Sequence, residues 1–295
     1  MGAEAYRCGA IALIGRPNVG KSTLLNALLG QKLSITSRKP QTTRQSLRGV
    51  LTTGRAQFVL VDTPGFQTRH RGALHRAMHR AIRAALEAVE VVALVVEAGR
   101  FGADDRALLK QVPEGVPLFL VVNKIDTTEA ADLLPFLKKA ASEAKFGEIV
   151  PVSARSHKGL GELLRALERH LPEQPPTHSE DALTDSNERF LAAEFLREKL
   201  FRLLGAELPY SIGVEIEKFE DERGMRRIHA AIVVGREGHK AIIIGSGGSK
   251  LKEIATAARL DMEKLFGGKV YLQVWVKVRS GWTDDEAALR RMGYG

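Results

Sequence analysis

Eight residues, Gly15-Arg16-Pro17-Asn18-Val19-Gly20-Lys21-Ser22, constrain this chain more than any other stretch. An apolar run, Cys8 to Ile14, leads into them, and an apolar-periodic segment, Thr23 to Leu29, leads out. Strand, glycine loop and helix in that order make the context of a phosphate-binding P-loop. The glycines let successive backbone N–H groups turn inward around a polyphosphate, and the positive end of the helix faces the same anion. Lys21 is placed to reach the terminal phosphates and the Ser22 hydroxyl to hold Mg2+. A chance glycine-rich turn is the bland alternative, which the position between strand and helix disfavours.

Further strand-like runs follow near Phe58–Val61, Val91–Val96, Leu118–Val122 and Ile149–Val152. Helical stretches lie between and after them at Ala73–Ala88, Ala130–Lys145 and Leu160–His170, after Lys21–Leu29 at the loop itself. Alternation of this kind predicts a mostly parallel sheet with helices on both faces. Ser46–Thr53 reads as an antiparallel edge strand of a hairpin, which makes six strands. The Arg- and His-rich stretch Arg69 to Arg83 reads as a solvated helix face, with contact to RNA as the alternative.

The ends of these strands carry chemistry. Asp62-Thr63-Pro64-Gly65 closes the Phe58 strand: Asp62 is expected beside Mg2+ in its outer coordination sphere, and the Gly65 N–H to sense a terminal phosphate. A plain Pro-Gly turn is the alternative. Asn123-Lys124-Ile125-Asp126 follows Leu118–Val122. A carboxylate at Asp126 can accept from the ring N–H and the exocyclic amine of guanine, a donor pair adenine lacks, so discrimination is expected to be strong. The Lys124 stem would cover the base and Asn123 would tie loops together. Val152-Ser153-Ala154 ends another strand, where a backbone N–H can meet the guanine carbonyl.

In this order, GRPNVGKS, QTTRQ, DTPG, NKID and VSA resemble the translation-factor-related GTPases, and Gln31 to Arg44 resembles the Era family among them. The resemblance implies GTP hydrolysis to GDP and phosphate with Mg2+, and a nucleotide site of Gly15 to Thr23, Asp62 to Phe66, Asn123 to Asp126, Ser153 and Ala154. It makes Thr43 the threonine that closes on Mg2+, with Thr42 as the neighbour open to the same assignment. Ser22, Thr43 and Asp62 form the Mg2+ set, and Lys21, Thr43 and Gly65 carry the catalysis. The switches would run from Gly30 to Ser46 and from Phe66 to about Leu74. Phe66 stands where Ras-like enzymes orient water with glutamine, and Gln67 is one residue late, so slow intrinsic turnover is expected. By the same resemblance Asn18 holds K+ against the phosphates; a loop-stabilising side chain is the equal alternative.

Leu171-Pro172-Glu173-Gln174-Pro175-Pro176 breaks the alternation and reads as a stiff linker. The expected division is a GTPase domain over 1–175, a connection over 176–185 and a second domain over 186–295. Thr184 to Glu188 starts a helix with an apolar stripe of Phe190, Phe195, Leu196, Leu200 and Leu204. Tyr210 to Phe219, a turn at Asp221 to Gly224, Ile228 to Val234, a helix from about Ser249 and a strand from Val270 to Val278 complete an α-β-β-α-α-β order. Gly245-Ser246-Gly247-Gly248 in that order fits the GxxG loop of a KH domain, which clamps about four nucleotides of backbone. The loop lacks the basic residue many such loops carry, so phosphate contact falls to backbone N–H groups, Lys250, Lys240 and Lys252. A helix-entry turn beside a solvated basic patch is the alternative. Ala241–Ile244 is β-branched and prefers strand locally, but the clamp requires a helix there. Trp275 is read as core; Trp282, Lys277 and Arg279 are read as an RNA contact or as surface packing.

The resemblance extends to Trp275-Val276-Lys277-Val278-Arg279-Ser280-Gly281-Trp282. It implies an α/β P-loop GTPase domain followed by an α+β type II KH domain. It also implies binding of the 3′ region of small-subunit ribosomal RNA, assistance to assembly of the small ribosomal subunit, and a cytoplasmic monomer with peripheral association at the inner face of the cell membrane. The competing readings are an RNA-binding scaffold with a structural nucleotide site and a GTPase of tRNA modification; the GSGG unit argues against the latter. Composition sets outer limits. The net charge of +9 suggests a polyanionic partner, yet residues 180–295 hold 19 Lys/Arg and 19 Asp/Glu, so any RNA site there rests on local pattern. The single cysteine, Cys8, excludes an intrachain disulfide and fits a reducing cytosol. No apolar run approaches the ~20 residues of a membrane span, and the first residues show neither a signal-peptide nor a myristoylation pattern.

Overall fold

The computed structural model of the chain describes residues 5–37, 39, 42–68, 72–205 and 208–294. Arg38, Pro40 and Gln41 of the first expected switch, and Arg69, His70 and Arg71 of the second, lie outside the described residues. By contacts the chain divides into two units. Met1–Ser34, Thr43–His70 and Met78–Asp185 form one; Ile35–Thr42, Arg71–Ala77 and Ser186–Gly295 form the other.

The first unit is built on a six-stranded sheet of β1 (Arg7–Ile14), β2 (Leu47–Thr52), β3 (Ala56–Asp62), β4 (Val91–Glu97), β5 (Leu118–Asn123) and β6 (Glu148–Pro151), in the order β2-β3-β1-β4-β5-β6. Only β2 runs antiparallel, against β3; the other pairings are parallel. Val91 to Val96 on β4 are completely buried, as a continuous apolar strand covered on both faces must be. Strand side chains alternate between faces. On one face Ala12, Ile14, Val92, Leu94, Val96, Leu120 and Val122 pack with Ile82 and Leu86 of α2 (Ala73–Glu87), Leu108 of α3 (Ala103–Leu109) and Ala140 of α4 (Ala130–Ala141). Two further helices complete the unit, α1 (Lys21–Leu29), which packs on β2 and β3, and α5 (Leu160–Glu168), which packs on β6.

Two local expectations change. Helix α4 stops at Ala141, four residues before Lys145. Helix α3 was not anticipated: it has seven residues and begins Ala-Asp-Asp-Arg, so it shows almost no apolar period. Its start is held by Asp105, whose Oδ2 accepts from the Gly102 N–H at 2.8 Å. Residues 177–185, within the expected connection of 176–185, lie along the sheet edge. Gln57 Oε1 accepts from the backbone of Thr177 and His178 at 2.8 and 2.9 Å, and Val50 N donates to Leu183 O at 2.8 Å. Proline content reveals that a segment is neither helix nor strand; it does not reveal that polar groups of an edge will hold it.

The second unit carries a three-stranded sheet, order β7-β8-β9, of β7 (Ile212–Glu222), β8 (Met225–Val234) and β9 (Lys269–Val278). Strands β7 and β8 join through Arg223 and Gly224, both with positive φ (54° and 83°), as a two-residue hairpin turn demands. Helix α6 (Glu188–Leu203) starts where Asn187 Oδ1 accepts from Phe190 N at 2.8 Å, an N-cap. Residues Phe195, Leu196, Leu200 and Leu204 of its stripe are buried. Helices α7 (Glu237–Ile244) and α8 (Ser249–Phe266) flank the glycine loop, and α9 (Glu286–Arg291), not anticipated, ends the unit. Ala241–Ile244 is therefore helix despite its β-branched residues: tertiary context overrides a weak local preference. The two tryptophans exchange their expected places. Trp282 is 1% exposed and its Nε1 donates to Ser211 O at 3.1 Å; Trp275 is half-buried beside His229 and Lys277. Lys277 pairs with Glu217, and Arg279 lies 3.9 Å from Asp285.

Candidate functional site

Parallel pairing brings the carboxyl ends of β1, β3, β5 and β6 to one edge of the sheet, and the loops that leave them form the first site. Gly15 follows β1 with φ +150°, and a Cβ there would lie 2.3 Å from Val95 O. Arg16 and Pro17 continue the turn; Asn18 has φ +64° and Gly20 φ +102°. A Cβ on Gly20 would lie 2.3 Å from Asn123 Nδ2, and one on Gly65 2.8 Å from Pro17. Only glycine fits these contacts, so the loop is packed from behind while its amides are free to turn inward. Val19 is buried, and Thr23, in the first turn of α1, is exposed.

Lys21 opens α1, and its buried Nζ donates to Gly15 O at 3.0 Å and Arg16 O at 3.2 Å. Burial lowers its pKa to about 8, against the pull of Asp62 and Asp105. Asp62 is completely buried at the end of β3. Its Oδ2 accepts from Ser22 Oγ at 2.6 Å, Ser34 Oγ at 2.8 Å and Thr43 Oγ1 at 3.3 Å. Burial pushes the Asp62 carboxyl up, and Lys21 and the three hydroxyls pull it down. Among the described residues its Oδ1 has no hydrogen-bond partner. The Ser22 and Thr43 hydroxyls lie 3.0 Å apart, whereas Thr42 Oγ1 donates to Lys39 O at 2.8 Å. Two hydroxyls beside an unmatched carboxylate oxygen suit a hard divalent cation and its water. A buried ammonium held only by carbonyl oxygens suits a polyanion. These residues fit Mg2+ and a phosphate chain.

Thr63 Oγ1 donates to Leu13 O at 2.8 Å, which seats the start of the next loop; Pro64 and Phe66 are buried. Phe66 donates its N–H to Gly15 O at 3.1 Å and stacks on His79, ring centroids 5.0 Å apart. Its ring is thus part of the core. On the next strands, Asn123 Nδ2 donates to Val19 O at 2.9 Å and its Oδ1 accepts from Ala154 N at 3.0 Å, so one amide joins three loops. Lys124 has φ +64° and its Nζ bonds Glu97 at 2.9 Å. Ile125 N donates to Val152 O at 3.2 Å. Asp126 is exposed; its Oδ1 accepts from Ser153 Oγ at 2.6 Å.

Three partners in this site were not read from the sequence. Ser34 is one; it is placed by Asn26, whose Oδ1 accepts from Leu33 N and Ser34 N at 2.9 and 2.8 Å. Asp105, which binds Arg16, and Glu97, which binds Lys124, are the others. Ser34 lies in the Gln31–Arg44 stretch but carries no role there by pattern, and neither motif nor periodicity marks Asp105 or Glu97.

The second site is the loop between α7 and α8. Gly245, Gly247 and Gly248 have φ of +71°, +56° and +80°. A Cβ on Gly247 or Gly248 would meet nothing within 4 Å, whereas one on Gly245 would lie 2.7 Å from Lys250 Cβ. Ser246 sits between them in a single helical turn. Lys240 lies 3.9 Å from Glu237 and Lys250 2.9 Å from Glu253; Lys252 is exposed. Ile242, 57% exposed, presents an apolar side chain from α7 that the sequence reading did not single out.

The family model described as 50S ribosome-binding GTPase matches residues 10–124, and the KH domain model matches 207–283. The chain is 55% identical to GTPase Era of Nitrosomonas eutropha over all of both chains. It is 53% identical to GTPase Era of Chromobacterium violaceum over 98% of each. Among solved structures it resembles a variant of Aquifex aeolicus Era bound to GDP and AlF4−, with TM-score 0.93, 37% identity and coverage of 98% and 99%. It resembles equally Era in complex with MgGDPNP and nucleotides 1506–1542 of 16S ribosomal RNA, with TM-score 0.94, 37% identity and the same coverage. Full-length identity at this level, with the P-loop and the GxxG loop on the two expected units, makes the chain a member of the Era family of GTPases.

Proposed function

We propose that this chain hydrolyses GTP slowly and uses the nucleotide to time its hold on the 3′ region of small-subunit ribosomal RNA during assembly of that subunit. The observation that carries the reading is the gathering of the P-loop, Asp62 and Asn123–Asp126 on one sheet edge, around a buried lysine and a buried, incompletely matched carboxylate. The relative solved with MgGDPNP and 16S ribosomal RNA nucleotides supports both ligands. In this reading 1–175 is the GTPase part, 176–185 the connection and 186–295 the RNA-binding part. The protein works in the cytoplasm as a monomer, with peripheral contact to the membrane; among the described residues no helix is long and apolar enough to cross one.

The nucleotide-binding residues are Gly15 to Thr23, Asp62 to Phe66, Asn123 to Asp126, Ser153 and Ala154. Asp126 selects guanine, and the Lys124 stem covers the base. Lys21 turns from its carbonyl partners to the terminal phosphates. The Gly65 N–H meets the oxygen that gains charge, so catalysis is electrostatic positioning. Ser22 and Thr43 would hold Mg2+, with Asp62 in its outer coordination sphere, and the ion would supply positive charge against the phosphates. Phe66 offers the attacking water no hydrogen bond, which keeps intrinsic turnover slow. Asn18 holds K+, so hydrolysis should run faster in K+ than in Na+, and Asn18→Ala should abolish the difference; equal wild-type rates in both salts would remove potassium from the mechanism. At the second site Gly245, Ser246, Gly247 and Gly248 let the RNA backbone approach, and Lys240, Lys250 and Lys252 supply charge.

The test is binding of a short 3′-terminal small-subunit ribosomal RNA oligonucleotide against a scrambled one, with a non-hydrolysable GTP analogue or with GDP. Selective binding that favours the GTP form is expected. Selective binding blind to the nucleotide would remove the switch, and no selectivity would remove the RNA assignment. The buried Phe66 ring also favours a second reading, an RNA-binding scaffold that barely turns over. Hydrolysis accelerated by RNA would reject it.

A further inference from the structure

One buried ionisable side chain lies beside the nucleotide site without a part in the chemistry above. Asp105, in the first turn of α3, is completely buried. Arg16 reaches it from the P-loop: Nε lies 2.8 Å from Oδ1 and 2.7 Å from Oδ2. The same guanidinium donates from Nη2 to Arg100 O at 3.0 Å. Asp105 is itself oriented, since Oδ2 accepts from the Gly102 N–H at 2.8 Å. The Arg16 side chain is 15% exposed. An arginine contact that is half-buried on its Asp105 side and made to two partners has a more defined geometry than a surface ion pair.

The backbone of the same residue faces the other way. Arg16 O accepts from Lys21 Nζ at 3.2 Å, next to Gly15 O. The Arg16 side chain therefore fixes the orientation of a peptide group on which the phosphate-facing lysine rests. We propose that Arg16 is a positioning residue that acts through Asp105: the pair is a strut that braces the entry of the P-loop against α3, and the guanidinium is not a phosphate ligand. The inference rests on the nucleotide reading of the P-loop. The neighbouring Asp104 makes a contrasting contact, accepting from Thr68 Oγ1 at 2.7 Å in an exposed position, so the first turn of α3 touches both the P-loop and the loop that follows Gly65.

The strut makes a prediction that phosphate contact does not. If Arg16 acts only through Asp105, removing either partner removes the same bracing. GDP affinity of the full chain would be measured by fluorescence titration for wild type, Arg16→Ala, Asp105→Asn and the double variant, with the melting temperature of each nucleotide-free protein alongside. Arg16→Ala and Asp105→Asn should each weaken GDP by about tenfold, chiefly through faster release, and the double variant should be no weaker than the worse single one, as coupled residues behave. Arg16→Lys, which keeps the charge but not the fork, should fall between wild type and Arg16→Ala. Losses that multiply to about a hundredfold would overturn the proposal, since independent residues add in free energy. So would an Arg16→Ala protein that binds GDP as wild type does; that result would confine Asp105 to its helix-capping contact. Should Asp105→Asn fail to fold, Asp105→Glu replaces it in the cycle: it should weaken GDP in the wild-type background and leave Arg16→Ala unchanged, and a loss of equal size in both backgrounds would overturn the proposal. A folded wild-type chain with no GDP affinity would sink the nucleotide reading, and this inference with it.

Discussion

The two glycine loops of this chain use the same residue for opposite reasons. In the P-loop region glycine is there for room: a Cβ at Gly15, Gly20 or Gly65 would lie 2.3, 2.3 or 2.8 Å from neighbouring atoms. In Gly245–Gly248 it serves conformation and access, because Gly247 and Gly248 have positive φ and open space around them. The first loop is backed by packed chain and faces a buried ammonium and carboxylate. The second borders half-buried Lys240 and Lys250, which already have carboxylate neighbours in Glu237 and Glu253. A buried site holds its ligand's electrostatic partners in advance, at a cost to the empty fold; an open loop costs the fold little and relies on the ligand to make its contacts.

Four substitutions test that contrast. The largest effect is expected from Gly20→Ala. Left-handed backbone and a 2.3 Å contact with the Asn123 amide should together cost about 3 kcal/mol of stability and abolish GDP binding. Chemical denaturation and calorimetry read both; a variant that folds and binds normally would erase the distinction.

Next is Lys21→Met, which should weaken GDP on the order of 100-fold while stabilising the empty fold. The sign follows from burial. The folded-state pKa is about 8 against an ordinary 10.5, so between those values the unfolded chain binds more protons and stability rises with pH. At pH 7 the buried ammonium therefore destabilises the nucleotide-free protein by about 3 kcal/mol, relieved as pH climbs from about 8 towards 10.5. Urea midpoints of wild type and Lys21→Met compared from pH 7 to pH 10 should converge. GDP affinity of wild type should fall above about pH 8, where the ammonium that meets the phosphates is lost; a flat profile would mean that Lys21 stays charged without a ligand.

Gly247→Ala should do less. With no atom near the added Cβ, only the left-handed φ is penalised, about 1–2 kcal/mol, and GDP binding should be unchanged while RNA affinity drops several-fold. If GDP affinity fell as well, the open loop would not be independent of the buried one. The smallest effect should come from Ser34→Ala. One hydroxyl leaves the buried Asp62 carboxylate, and about 1 kcal/mol of stability goes with it, visible as a lower urea midpoint in nucleotide-free protein.

Much of the architecture is legible in the residues. Continuous apolar runs at Val91–Val96 and Leu118–Val122 announce strands buried on both faces, and Asn187 and the Arg223–Gly224 turn mark a helix start and a hairpin. What escaped has a common cause. Helix α3 is too short and too charged to show a period, and α9 is shorter still. Ala241–Ile244 has strand-forming residues in a helix position; only the expected clamp order, not its own propensity, pointed to helix. Trp275 and Trp282 are equally apolar, and which of them is core depends on what the chain lays over each.

The family, the parallel sheet and the loops that meet at its edge can be read along the chain, because they depend on local rules: glycine where only glycine fits, and apolar runs where strands are buried. Which partners complete the site emerges only in the folded chain. Ser34 reaches Asp62, Asp105 reaches Arg16 and Asn123 joins Val19 to Ala154 across separations of 28, 89, 104 and 31 residues. Such contacts follow from strand order and register, which place distant residues a hydrogen bond apart, and no spacing along the chain encodes them.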